Sequence, residues 1–423
     1  MCSRKLAITL FLLPLLLVFS PGSSRAQFTL DTTFRPRTEL RNGYRLMRTD
    51  QTKPALFTSQ RTRLGLDYQS DLYRLHLAVQ DIRTWSDVSQ LQDNANVNVH
   101  EAWIALDLSN VLQFKIGRQE LIYDDQRLLG SVNWTQQARS HDALVAKYYT
   151  ANNTLRIDVG AAYNQEQQNL LGNIYSINNY KFLSYAWAHK QAGPLGISAL
   201  FLSDGFQIQP ENTNFRYTYG TYLNFDRESF RASGSVYFQS GDDLSRNDIS
   251  AHMVALNAHY GTAPFQISGG YEYLSGGSAE DANPARHTFS TLYATNHKFY
   301  GHMDYFLSIP ADTRSGGLQD LHIGTDYQMN NDLSLQLTYH YLALANEIVD
   351  PQDPTTTTNQ YLGSEFDLGV RYQASEPITF QAGLSTLFSG SALDAVQFRN
   401  GENPQYWGWA MLQVSPTLFT TEN

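Results

Sequence analysis

Leu333-Ser-Leu-Gln-Leu-Thr-Tyr-His-Tyr341 alternates without a slip. Leu333, Leu335, Leu337, Tyr339 and Tyr341 take the odd positions, and Ser334, Gln336, Thr338 and His340 the even ones. Side chains of a strand point alternately to its two faces, so this segment has one oily face and one wet face. The pattern recurs from near Phe28 to near Val414, with turn residues between the runs. It predicts strands over 30–45, 57–69, 72–84, 97–108, 111–119, 141–150, 153–164, 180–190, 194–204, 215–226, 229–239, 249–260, 264–274, 318–329, 332–344, 363–374, 377–388 and 405–415. That even number fits a bacterial outer-membrane barrel. Short connections such as Ser70-Asp71, Ser109-Asn110, Asn330-Asn331 and Ser375-Glu376 alternate with long ones at 85–96, 120–140, 165–179, 275–317 and 345–362. Short periplasmic turns and long extracellular loops are the corresponding expectation.

The first residues read as an export signal. Arg4 and Lys5 precede an apolar stretch, Leu6–Phe19, and Ser24-Arg25-Ala26 is a cleavage site of the small-residue type. Residues 1–26 are therefore expected to be removed, leaving 27–423 as a single domain. Cys2 leaves with the signal, which excludes a disulfide framework and a thiolate metal site. No other stretch is long and apolar enough for a spanning helix. A closed barrel needs none, because closure satisfies every backbone donor and acceptor. The 26 tyrosines and 22 phenylalanines suit the aromatic girdles of such a barrel.

The formal net charge is -10, and -13 without Arg4, Lys5 and Arg25. Nucleic acid is thus not an expected partner. The charge is uneven: residues 27–163 hold 16 Lys+Arg against 15 Asp+Glu, and the remainder 11 against 25. The early arginines therefore need a reason of their own. A cation facing lipid at the midplane costs about 2–4 kcal/mol, whereas one in a wet lumen costs little. Strand parity then places Arg61, Arg63, Arg156 and Arg371 inside. Arg83 and Arg118 break the rule, because each shares parity with the apolar set of its strand. Either a bulge resets the parity or the strand has already left the bilayer. Both lie near the predicted outer rim, so the second is the simpler account, and the wall is expected to give way there to a constriction.

Residues 117–130 read Gly-Arg-Gln-Glu-Leu-Ile-Tyr-Asp-Asp-Gln-Arg-Leu-Leu-Gly, followed by Trp134, Arg139 and His141-Asp-Ala-Leu144. This segment resembles the alginate-export family of outer-membrane barrels, as do Tyr273-Leu-Ser-Gly-Gly277, the stretch from Phe289 to Phe306, and Gly363-Ser-Glu-Phe-Asp-Leu368. The resemblance implies an 18-stranded barrel with an arginine-rich constriction for an anionic sugar polymer. It does not imply alginate itself. Carried over, it marks Arg61, Arg63, Arg83, Arg118, Arg127, Arg139, Asp124 and Asp142 as pore residues. Glu272, Asp320, Asp326, Glu365 and Asp367 fall on lumen parity and depart from a purely anion-selective lining.

The loop 120–140 could enter the lumen, with Arg118, Arg127 and Arg139 attracting anions through their planar, bidentate guanidinium groups. In the plainer alternative these arginines pair with Glu120, Asp124, Asp125 and Asp142 and hold the loop. Trp134 is either a sugar platform or a loop anchor. His297, His302 and Asp304 do not match a recognised metal-ligand spacing, and no cofactor is expected. There is no Gly-x-Ser-x-Gly elbow or phosphate-binding lysine loop, so an enzyme is not expected. The sequence therefore reads as a monomeric outer-membrane porin or exporter for anionic, carbohydrate-type solutes, in contact with outer-membrane lipid and served by periplasmic partners. The alternatives are a general diffusion porin and a surface receptor or adhesin with a plugged lumen.

Overall fold

A computed structural model describes residues 26–421 apart from 93, 95, 176, 178, 211, 244–247, 400 and 402. The expected export signal lies outside the described residues. The strands are β1 (Gln27–Asn42), β2 (Ala55–Gln69), β3 (Tyr73–Thr84), β4 (Val97–Ser109), β5 (Leu112–Gln119), β6 (His141–Tyr149), β7 (Leu155–Tyr163), β8 (Phe182–Ala192), β9 (Leu195–Gln209), β10 (Asn212–Arg227), β11 (Phe230–Asp242), β12 (Asp248–Thr262), β13 (Phe265–Leu274), β14 (Leu318–Gln328), β15 (Leu333–Ala343), β16 (Tyr361–Ser375), β17 (Ile378–Ser389), β18 (Gln405–Val414) and β19 (Thr417–Thr420). Each pairs antiparallel with its neighbour in sequence, and β18 closes on β1. The short β19 pairs with the start of β1 on the edge that β18 also occupies. The wall therefore has eighteen positions, and closure leaves no exposed sheet edge.

All eighteen predicted strands are present, with ends shifted by a few residues. The largest shift is at 204–215. There β9 runs on to Gln209 and β10 starts at Asn212, and the two form a long hairpin beyond their neighbours.

Parity sets the two faces. On β15, Leu337 and Tyr341 are exposed on the outer surface, and His340 is buried inside. Leu64, Leu77, Leu256, Leu321, Ile323, Phe366 and Leu368 continue the outer belt. Aromatic pairs rim it at the short-turn end, including Phe225–Phe230, Tyr372–Phe380 and Phe28–Phe419. At the other end lie Tyr163–Phe182, Tyr219–Phe238 and Tyr341–Tyr361. Amphipathic rings favour such interfaces.

Arg83 and Arg118 correct one expectation. The wall does not turn inward at either. Arg83 lies across from Gln60, and Arg118 across from Ala102, so both stay on the outer face near the long-loop rim. Their charges are met locally. Arg83 donates to both carboxylate oxygens of Asp81 at 2.7 Å, on the same face two residues back. Arg118 lies 3.5 Å from Asp142, its partner across β5 and β6. Both arginine side chains remain over 40% exposed, as is usual for a charge beyond the apolar belt. Asp142 therefore faces outward as well.

Candidate functional site: two loops inside the barrel

The lumen is occupied by two long connections, 120–140 between β5 and β6 and 275–317 between β13 and β14. They meet as a short parallel ladder. Gly130 N donates to Tyr293 O at 2.9 Å, Tyr293 N to Leu128 O at 3.0 Å, and Thr295 N to Gln126 O at 3.0 Å. Gly130 is required at this contact, because a Cβ would overlap Thr295 Oγ1 and Gln126. Leu121, Leu128, Leu129, Phe289, Tyr300, Met303 and Phe306 from the loops pack against Leu202, Met253, Leu274, Leu342 and Trp407 of the wall. Apolar residues on the lumen face of the long-loop half thus bury against the loops, while the same face elsewhere is polar.

Arginines fix the first loop to the wall. Arg35 donates to Asn133 O and Thr135 O, both at 2.8 Å, and to Gln136 Oε1. Arg37 donates to Trp134 O at 2.8 Å and to Glu39 at 2.9 Å. Arg61 reaches Asn133 Oδ1 at 2.8 Å. Arg63 sits behind them and holds Gln80 Oε1, while the Gln80 amide donates to Gln137 O at 2.9 Å. On the opposite side Tyr123 donates to Asp158 at 2.9 Å, and Trp187 Nε1 donates to Asp124. Burial pushes the Asp124 carboxyl above its ordinary value against the Ser198 and Trp187 donors.

Arg127 is the innermost of these groups, only 2% exposed. It bridges Glu272 of β13 and Asp125 of its own loop, the latter at 2.9 Å, and lies 4.0 Å from the Phe299 ring centre. Burial alone would pull its guanidinium down, but Glu272 and Asp125 outweigh it and hold the group above its ordinary value. Arg139 donates to Ala294 O of the second loop at 3.1 Å. The structure therefore brings Arg61, Arg63, Arg127, Arg139, Asp124 and Trp134 together in the lumen. It leaves Arg83, Arg118 and Asp142 outside.

The Trp134 ring is already engaged. His297 stacks on it at 4.4 Å, the Arg37 guanidinium lies 4.2 Å from its centre, and Trp409 meets it edge-on at 4.8 Å. His297 Nδ1 is 2.6 Å from Asp304, which also takes the Tyr44 hydroxyl, and the His302 ring stacks on His297. These contacts tie His297, His302 and Asp304 into the packing of the second loop. A second acid–histidine group, His100, Glu101 and Glu120, lies beside the first loop, with His100 Nε2 2.8 Å from Glu120.

Among the described residues, two polar chambers lie beside the loops. The larger, about 770 Å³, extends from Arg127, His297 and Lys298 toward the short-turn end at Asp326, Ser334 and Arg371. The smaller, about 330 Å³, lies under the first loop against β3–β7. Arg74, Lys115, Lys147 and Arg156 line it, with His76, Glu101 and Glu120. Arg74 pairs with Asp67, and Arg156 with Asp158. Neither Lys115 nor Lys147 has an ion-pair partner among the described residues, although Lys115 lies 3.8 Å from the Trp103 ring centre. The sequence reading missed Arg35, Arg37, Lys115 and Lys147. Parity was the available signal: Gln113, Lys115 and Gly117 alternate with Leu112, Phe114 and Ile116.

A closed eighteen-strand wall with an apolar exterior and loops folded inward has relatives. The alginate export family matches residues 26–406. The chain belongs to that family. No curated protein matches it. Among solved structures it is similar to OccAB4 of Acinetobacter baumannii (TM-score 0.62, 12% identity, covering 94% of this chain and 100% of that one). OccAB1 of the same organism gives 0.65 at 12% identity, with 93% and 97% covered. The outer membrane protein OpdK of Pseudomonas aeruginosa gives 0.60 at 12%, with 93% and 99% covered. At these identities the likeness is one of fold. The chain is a bacterial outer-membrane barrel of the porin type, a transport channel by family and not an enzyme.

Proposed function

We propose that the barrel is a passive, monomeric channel for small anionic, carbohydrate-type solutes, exported with the help of the signal read at residues 1–26. The observation that carries this reading is the cationic wall of β3–β7 beside the first loop. Among the described residues Lys115 and Lys147 make no direct ion pair there, although Glu101 and Glu120 line the same chamber, and Arg74 and Arg156 flank them. Such a wall attracts a carboxylated solute and releases it again, because several weak sites in series bind less tightly than one closed site. Its charge extends across a narrow passage, since the Debye length at physiological salt is about 8 Å. Arg127 contributes little to that attraction, because Glu272 and Asp125 compensate it.

Liposome swelling with glucuronate and glucose tests this reading. The barrel is expected to admit glucuronate faster than glucose, and Lys115→Gln with Lys147→Gln is expected to remove the preference. Equal rates in the unaltered protein would overturn it. The apolar packing between loops and wall supports a second reading, a closed barrel that serves as a surface receptor. Vesicles that admit neither sugar would favour it.

A further inference from the structure

We propose that Asp320, His322 and His340 form a binding site for a divalent transition-metal ion of the zinc type, with one coordination position open to the larger chamber. His322 of β14 and His340 of β15 are direct cross-strand partners on the lumen face. Asp320 lies two residues before His322 and shares that face. One ligand atom from each residue falls within 4.8 Å of the other two. Asp320 Oδ2 is 3.2 Å from His322 Nδ1 and 3.1 Å from His340 Nδ1. Ligands about 2.0–2.2 Å from a tetrahedral ion lie roughly 3.3–3.5 Å apart, so the two Asp320–histidine distances are already near that spacing, and loading brings the two histidines closer together. All three side chains rise from paired strands, which hold a site more firmly than loops do.

The surroundings favour this role. Asp367 of β16 lies behind His340, its Oδ2 3.7 Å from Nε2. Asp367 Oδ1 is buried and has no hydrogen-bond partner among the described residues. With an ion on Nδ1, Asp320 shares the ion and the Nε2 side of the ring faces Asp367. A carboxylate on the far nitrogen is the usual support of a metal-bound histidine. Glu272, across from Asp320, is occupied by Arg127 and leaves the fourth position to water or solute. Two imidazoles and one carboxylate suit zinc-type ions and not calcium, which takes six to eight oxygens. Both histidines line the larger chamber, which gives the ion a route in.

The test is a Co2+ titration of the full barrel in detergent, followed by visible absorption and by competition with Zn2+. About one Co2+ per barrel is expected, displaced by Zn2+. His322→Gln, which nearly keeps the side-chain volume, should abolish saturable binding. Asp367→Asn should weaken it about 10- to 100-fold. His259→Ala, at another histidine of the same chamber, should leave it intact. Absence of saturable binding in the unaltered barrel, or binding unchanged in folded His322→Gln, would overturn the proposal. Loss in His259→Ala equal to that in His322→Gln would overturn it too. Fold is checked by gel mobility before and after heating. The readout is metal uptake, so its failure leaves the channel reading standing.

Discussion

Replacing Arg127 with methionine separates the two roles that its sequence position allows. Arg127 and Glu272 are 2% and 1% exposed, so the substitution strands a carboxylate in the barrel interior. Removing one partner of a buried ion pair costs about 3–5 kcal/mol. Asp125 lines the larger chamber and can turn to water, so the penalty centres on Glu272. The wall keeps its backbone ladder, and the loss falls on the contact between 120–140 and β13. Amide hydrogen exchange in the two loops reads this directly. An opening free energy lower by about 3–5 kcal/mol speeds exchange between roughly a hundredfold and several thousandfold at Leu128–Gly130 and Tyr293–Thr295. A second substitution, Glu272→Leu, removes the stranded charge and should restore much of the protection. Unchanged loop exchange in Arg127→Met, combined with a lost anion preference, would refute the reasoning and make Arg127 a pore cation. A double variant no better than the single one would also refute it.

Three further outcomes follow from the faces of the wall and the loop contact. Leu337→Arg should destabilise the barrel by about 2–4 kcal/mol in lipid, while Gln336→Arg, one residue away but facing the chamber, should cost close to nothing; urea unfolding in vesicles compares them. Gly130→Val should part the two loops, because its Cβ meets Thr295 Oγ1, and should raise channel conductance without changing the far-ultraviolet dichroism of the wall. Trp407→Ala removes a fully buried ring packed edge-on to Trp134, at a cost of about 3–5 kcal/mol, and should quench the protection of 131–136 before that of the strands.

The wall was legible because period two is a local property. Leu333–Tyr341 announces its two faces by itself, and the same reasoning placed Arg61, Arg63, Arg156 and Arg371 inside. The same parity held at Arg83 and Arg118. Both lie beyond the apolar belt, as their place near the rim suggested; the constriction expected beside them is absent from that wall, and Asp81 and Asp142 meet the charges in place. The packed loops could not be read from pattern. The pairing of Leu128–Gly130 with Tyr293 joins segments more than 150 residues apart, and neither has a period. Resemblance pointed to the right loop, whereas the backbone carbonyls that Arg35 and Arg139 meet, Asn133 O and Ala294 O, carry no sequence signature. Lys115 and Lys147 were readable by parity but lay outside the resembling motif.

Solute is expected to pass the lysine- and arginine-bearing wall at β3–β7. Reversal potential across a planar bilayer under a salt gradient tests it most directly. The account predicts channels that prefer the anion, with a potential that moves toward zero when Lys115→Gln and Lys147→Gln are combined. Cation-preferring channels, or a potential indifferent to both lysines, would contradict it.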